Sequence, residues 1–168
     1  MGKQGLKALT ITQPWASLMA TLRPDGLPWK TIETRSWYTN YRGEMVIHAA
    51  KGFPRWAQWT CTDPVFAEAL GGLEWRELPL SVGLCVVRVV GCIRTTELHK
   101  AEPILGRKLH MEELRFGNYS EGRWAWLTEY VRPLPNVGPV RGSLGLWNWA
   151  ESDQARAERE LCTGETHR

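Results

Sequence analysis

The sequence predicts an α+β fold, a small β-barrel of five or six strands with helices in the connections. Three observations carry that expectation. Short runs alternate apolar and polar residues at the period of a strand. The helix-period stripes fall between only some of those runs, without the regular strand–helix alternation of a doubly wound sheet. A chain of 168 residues, 43% apolar and 23% charged, fits one globular domain.

Lys7–Ile11 is the first expected strand, with Leu9 and Ile11 alternating with Thr10. Thr12 suits a helix N-cap and Pro14 the first helical position, where a missing N–H costs nothing. Trp15, Leu18, Met19 and Leu22 then form one apolar stripe of a two-turn helix. Arg23–Pro28 reads as a loop, Trp29–Trp37 as strand-like, Tyr38–Gly43 as a turn and Glu44–Ala50 as a clear strand. Pro64–Leu70 is an expected helix closed by Gly71 and Gly72. Val82–Ile93 is the longest β-branched run, and its lone Gly91 predicts a bulge or sharp bend. Glu97–Leu114 is expected to be partly helical, Trp124–Val131 and Leu146–Trp149 to be strands, and Arg132–Gly145 to be turns. Residues 7–149 make the domain, and 150–168 make a polar C-terminal helix or tail.

The longest apolar run free of charge, Leu78–Val87, is about half a membrane span. Met1–Lys7 is polar with no apolar stretch behind it, so a cytoplasmic protein is expected, with no membrane partner. The four cysteines, Cys61, Cys85, Cys92 and Cys162, form no Cys-x-x-Cys pair and read as buried thiols. Four histidines without paired spacing predict no metal site. Dinucleotide, Walker, His-Glu-x-x-His and nucleophile-elbow motifs are absent from the sequence, and no cofactor is implied.

Charge and aromatics point elsewhere. The net charge is only +3, yet residues 1–62 carry 8 basic and 3 acidic groups. The chain also holds 10 tryptophans. Cations that track phosphates, interleaved with rings that stack on bases, are what single-stranded nucleic acid binding requires. A solvated basic face over core tryptophans gives the same counts.

The densest polar segment is Trp29-Lys30-Thr31-Ile32-Glu33-Thr34-Arg35-Ser36-Trp37. On a strand, Glu33 and Arg35 share a face, and Lys30 meets Glu33 if the strand begins after Lys30. Such a cluster is either a functional charge group or an ordinary salt bridge. Trp124/Trp126 and Trp147/Trp149 are i, i+2 pairs that each present two indoles to one face.

Three stretches in order, Ala8-Leu9-Thr10-Ile11-x-Gln13-Pro14-Trp15-Ala16, Lys30-x-x-Glu33-x-Arg35 and Tyr41-Arg42-Gly43 with Ile47-His48-Ala49, resemble the ASCH (activating signal cointegrator-1 homology) domain. That family belongs to the PUA-like superfamily. Phe116-Gly117-Asn118-Tyr119, Gly122–Trp126, Val140-Arg141-Gly142 and Gly145-Leu146-Trp147 extend the resemblance over about residues 7–149. It implies a PUA-like β-barrel with a cleft lined by a Gly-x-Lys-x-x-Glu-x-Arg signature that binds RNA or other nucleic acid. The signature falls on Lys30, Glu33 and Arg35, with Pro28 where its first glycine stands.

The leading expectation is therefore a nucleic-acid-binding module, single-stranded RNA or DNA, with a basic, Trp-lined cleft. Lys30, Arg35, Arg42 and Lys51 are the candidate phosphate contacts, and Glu33 accepts from a base edge or positions Arg35. Gln13 and Trp15 either reach the cleft or cap and pack the first helix. His48 is either a packed residue at a strand end or a group beside the cleft. Trp124 and Trp126 are candidate base platforms. The alternative is an enzyme on the same scaffold, an amidohydrolase of a modified nucleoside such as N4-acetylcytidine, or a ribonuclease. The resemblance then makes Lys30 and Glu33 the catalytic candidates, although a bacterial amidohydrolase branch has threonine where this chain has Glu33. The polar tail from Ala150 to Arg168 offers a surface to a protein partner.

Overall fold

The computed structural model describes residues 5–135 and 139–149. Six strands form one sheet: β1 (Lys7–Ile11), β2 (Ile32–Arg35), β3 (Gly43–Ala49), β4 (Gly83–Arg94), β5 (Trp124–Pro133) and β6 (Leu146–Asn148). Their spatial order is β2-β5-β4-β3-β1-β6. Neighbours are antiparallel except β1 and β3, which run parallel with Leu9 opposite Ile47. The expected small barrel takes the form of a curled half-barrel. Register shifts at Ile47/His48, Val86/Val87 and Val89/Gly91 bend the long strands, because an extra residue on one strand kinks it and increases its twist. Gly91 thus marks a bulge, as its isolation in a β-branched run predicts.

Both faces of the sheet are covered, which is why Val82–Ile93 is apolar on both parities apart from the exposed Arg88. On the concave face, Leu9, Ile11, Met45, Ile47, Cys85, Val87 and Trp126 pack around Ala16 and Met19 of α1 (Trp15–Ala20). The opposite parity, Ala8, Val46 and Val86, lies under Leu134, Val140 and Trp149. Two more helices follow β3, α2 (Arg55–Thr60) and α3 (Pro64–Ala69), and α3 extends the core around Leu18, Phe66, Leu70 and Phe116. A fourth, α4 (Ala101–Leu105), covers Ile32, Ile93, Ala125 and Leu127. At α3 the local signals agree, since Asp63 accepts from Val65 N at 2.9 Å and Pro64 opens the helix.

Four differences from the sequence expectation have local causes. Thr12 does not cap α1; Pro14 holds the N-cap position, and the Gln13 side chain accepts from Ser17 N at 3.0 Å instead. The helix stops at Ala20 because the backbone turns extended at Thr21 (φ −90°, ψ 118°), so Leu22 lies beyond it and is exposed. Strand β2 is only four residues long because the N–H groups of Thr31 and Ile32 go to the Glu113 carboxylate, not to a ladder. Helix α2 has no apolar stripe, burying only Ala57, and so gave no periodic signal. The expected C-terminal helix or tail lies outside the described residues. Among the described residues no helix is long and apolar enough to cross a membrane, and no three His, Cys, Asp or Glu side chains converge as a metal site. Cys61 and Cys85 are buried and Cys92 is half-buried.

Candidate functional site

The parallel pairing of β1 and β3 sends both chains out at the same end of the sheet. The helix after β1 begins with Trp15, and the helix after β3 carries Trp56 in its first turn. Their rings meet at 5.5 Å between centroids, and both line a cleft of about 500 Å³. Curl supplies the facing wall. Arg35, on edge strand β2, crosses to β1 and donates to Thr10 O at 3.0 Å.

Lys30 sits in the turn before β2, and Glu33 and Arg35 share one face of the strand, so the three converge. Lys30 is buried, with Nζ donating to Ile32 O and lying 3.3 Å from Glu33 Oε2. Arg35 Nε lies 3.1 Å from Glu33 Oε1, off the line of a good hydrogen bond. One carboxylate is thus held between two cations at the cleft floor. Each cation keeps N–H capacity that these contacts leave unused.

The rim adds charge. Arg123 donates to Thr34 O at 3.0 Å and to Asn118 O at 3.2 Å, and Asn118 N donates to Thr34 Oγ1 at 3.2 Å. Arg115, half-exposed, lies 3.6 Å from Asp63. Lys30, Arg35, Arg115 and Arg123 therefore face the cleft against the single carboxylate of Glu33. Beneath the floor, Glu113 accepts from Thr31 N, Ile32 N and the Thr31 hydroxyl at 2.8–3.0 Å. It fixes the turn that carries Lys30. Burial and the nearby carboxylates of Glu113 and Glu33 push the Tyr119 phenol up, and its hydroxyl makes no hydrogen bond among the described residues.

A second, larger cavity of about 960 Å³ shares Thr10, Thr12 and Arg35 with the first and carries His48, Lys51, Ser81 and Arg141. His48 is packed. Its Nε2 donates to Val140 O at 2.8 Å, so Nδ1, 3.2 Å from Thr10 Oγ1, is the acceptor. Trp147 Nε1 donates to the same hydroxyl at 3.1 Å. Burial pushes the imidazole below its ordinary pKa, partly opposed by the Val140 and Ser81 carbonyls. Gly142 closes over this group, where a Cβ would sit 2.6 Å from Thr10 Oγ1 and 2.8 Å from His48 Cε1.

The structure brings Trp15, Lys30, Glu33 and Arg35 into the first cleft and His48 and Lys51 to the second. It does not bring the others. Gln13 is wholly buried, donating to Ser17 Oγ and Pro79 O, and serves α1. Trp126 is also wholly buried, its Nε1 on Trp37 O, because β5 turns it into the concave core. Trp124 packs against Tyr38 and under the Arg94 guanidinium, away from both cavities. Arg42 precedes β3, at the end opposite His48, and its Nη1 donates to Thr39 O and Tyr41 O. Sequence reasoning missed Trp56, Arg115, Asn118 and Arg123 as cleft residues. Only Asn118 and Arg123 had a signal, since both fall within motifs of the resemblance.

Comparison with known proteins agrees with the fold. A tyrosine-to-phenylalanine variant of the ASCH protein from Zymomonas mobilis has a similar structure, with a TM-score of 0.50 at 12% identity, covering 94% of this chain and 99% of that one. The unaltered Zymomonas mobilis protein matches with a TM-score of 0.48 at 10% identity, over 94% and 95% of the two chains. A serine-to-alanine variant matches with a TM-score of 0.44 at 14% identity, over 94% and 96%. No curated protein matches the sequence. The family model of the ASCH domain matches residues 9–136, three quarters of the chain, from within β1 to the end of β5. This chain belongs to the ASCH domain family.

Proposed function

We propose that the first cleft binds one nucleotide unit of a single-stranded nucleic acid. The observation that carries this reading is the Glu33 carboxylate held between Lys30 and Arg35 on the floor of a cleft that also presents Arg115, Arg123, Trp15 and Trp56. Arg115 and Arg123 at the rim suit phosphate oxygens, and Arg35 can serve the same backbone. Trp15 and Trp56 offer rings to a base. Glu33 keeps unused lone pairs and accepts from an exocyclic amine.

The geometry favours binding over hydrolysis. An amine nucleophile needs a free lone pair. Lys30 is instead buried against a carboxylate and a carbonyl, as a charged donor is. The test sets oligonucleotide affinity beside nucleoside hydrolysis for wild type, Glu33→Gln and the rim variant Arg115→Gln. Binding predicts about ten- to hundredfold weaker affinity for Glu33→Gln, since a hydrogen bond to a charged group is worth about 1.5–3 kcal/mol. Arg115→Gln weakens binding with the fold untouched. Turnover of an acylated cytidine by wild type, abolished in Glu33→Gln, would replace this reading with the enzymatic one.

A further inference from the structure

Two tryptophans of the described residues are exposed by more than half, Trp56 at 61% and Trp59 at 70%. Both stand on α2, three positions apart, and so on one side of the helix with an axial separation of about 4.5 Å. Burying a large indole is strongly favourable, and this short helix could have turned polar residues outward instead. Trp56 is part of the cleft wall, and Trp59 stands three positions further along the same helix. The surroundings are cationic. Arg55 is exposed on the same helix, Lys51 is exposed on the segment leading into it, and Arg115 stands at the cleft rim.

We propose that Trp59 is a stacking platform for the base adjoining the one held in the cleft, so that the ligand is a strand of at least two nucleotides. The inference rests on the reading of the cleft as a nucleotide site. A base does not intercalate between Trp15 and Trp56, because their centroids lie only 5.5 Å apart and two successive aromatic contacts need about 7 Å. The outer faces of Trp56 and Trp59 are the open ones. An indole accepts any base face, so this platform contributes affinity for strand length and little for sequence. Lys51 and Arg55 supply the positive charge that the phosphate between the two bases requires.

The test compares a nucleoside monophosphate with a mixed-sequence RNA hexamer, each titrated into wild type, Trp59→Ala, Trp59→Phe and Trp56→Ala. For Trp59→Ala the expected result is a five- to hundredfold loss of hexamer affinity with monophosphate affinity unchanged. Trp59→Phe recovers most of the loss, and Trp56→Ala weakens both ligands. An unchanged thermal midpoint in Trp59→Ala separates the effect from misfolding. If the monophosphate binds and Trp59→Ala leaves hexamer affinity intact, the platform is wrong and the cleft reading stands. If wild type binds neither ligand, both are wrong. A concentration-dependent dimer in sedimentation, abolished by Trp59→Ala, would overturn the proposal by showing that a second copy covers the indole.

Discussion

Glu113 shows how a single side chain sets the cleft without touching its contents. Its carboxylate takes three donors from Thr31 and Ile32 and thereby shapes the turn that delivers Lys30 to Glu33. In Glu113→Ala those buried donors lose their acceptor, at about 1–3 kcal/mol for each group left unsatisfied. Urea denaturation is expected to register a loss of at least about 2 kcal/mol, and Glu113→Gln a smaller one. His48 gives a pH-dependent counterpart. Burial holds its folded-state pKa below the ordinary value of 6.5, so the unfolded chain takes up the proton first as pH falls. Its stabilising contribution is complete above that value and is lost as pH drops below it. The urea midpoint of wild type should therefore fall more steeply between pH 7.5 and 5.5 than that of His48→Gln, whose amide can still donate to Val140 O. Equal slopes would mean that His48 does not titrate differently on folding. Cys85, buried on the concave face with its thiol pushed up to about 12, should resist alkylation at pH 8 until the protein is unfolded, as peptide mapping would show.

At the level of elements, the cleft exists because β1 and β3 are parallel and because the sheet curls far enough for Arg35 to reach Thr10. The segment holding Gly142 locks β1 to β3 through Thr10 and His48. Gly142→Ala pushes a methyl into that pair and is expected to cost about 1–3 kcal/mol, read as a lowered thermal midpoint. Elements whose burial follows a simple period were legible in the sequence: β1, β3, β4 with its bend at Gly91, α3 and β5 all fall where alternation, capping and proline put them. Elements shaped by distant side chains were not. The ends of β2 depend on Glu113, some 80 positions away, and α2 turns its indoles to solvent, so neither left a periodic trace. The site divides in the same way. Lys30, Glu33 and Arg35 lie within six residues, so strand parity put Glu33 and Arg35 on one face, and the meeting with Lys30 hung on where the strand begins. Arg115 and Trp56 reach the cleft only through tertiary packing. Trp126 shares a strand face with Trp124, yet parity alone cannot say which of two indoles a curled sheet swallows.

Across the whole molecule, the small net charge conceals a polarised distribution. Lys30 and Arg35 of the basic N-terminal third meet Arg115 and Arg123 at one cleft, while that cleft holds one carboxylate. Long-range attraction of a polyanion to this face is therefore expected to weaken as salt rises. Stacking on Trp15, Trp56 and Trp59 is far less sensitive to salt, so the two contributions separate experimentally. The most direct measurement is the affinity of a single-stranded RNA hexamer for the full chain between 50 and 300 mM salt, for wild type and Arg123→Gln. With three or four phosphate contacts, wild type should give a log–log slope of about −2 to −3, and Arg123→Gln a slope shallower by about 0.7. No binding at 50 mM salt, or an affinity indifferent to salt, would contradict the assignment of this cleft to nucleic acid.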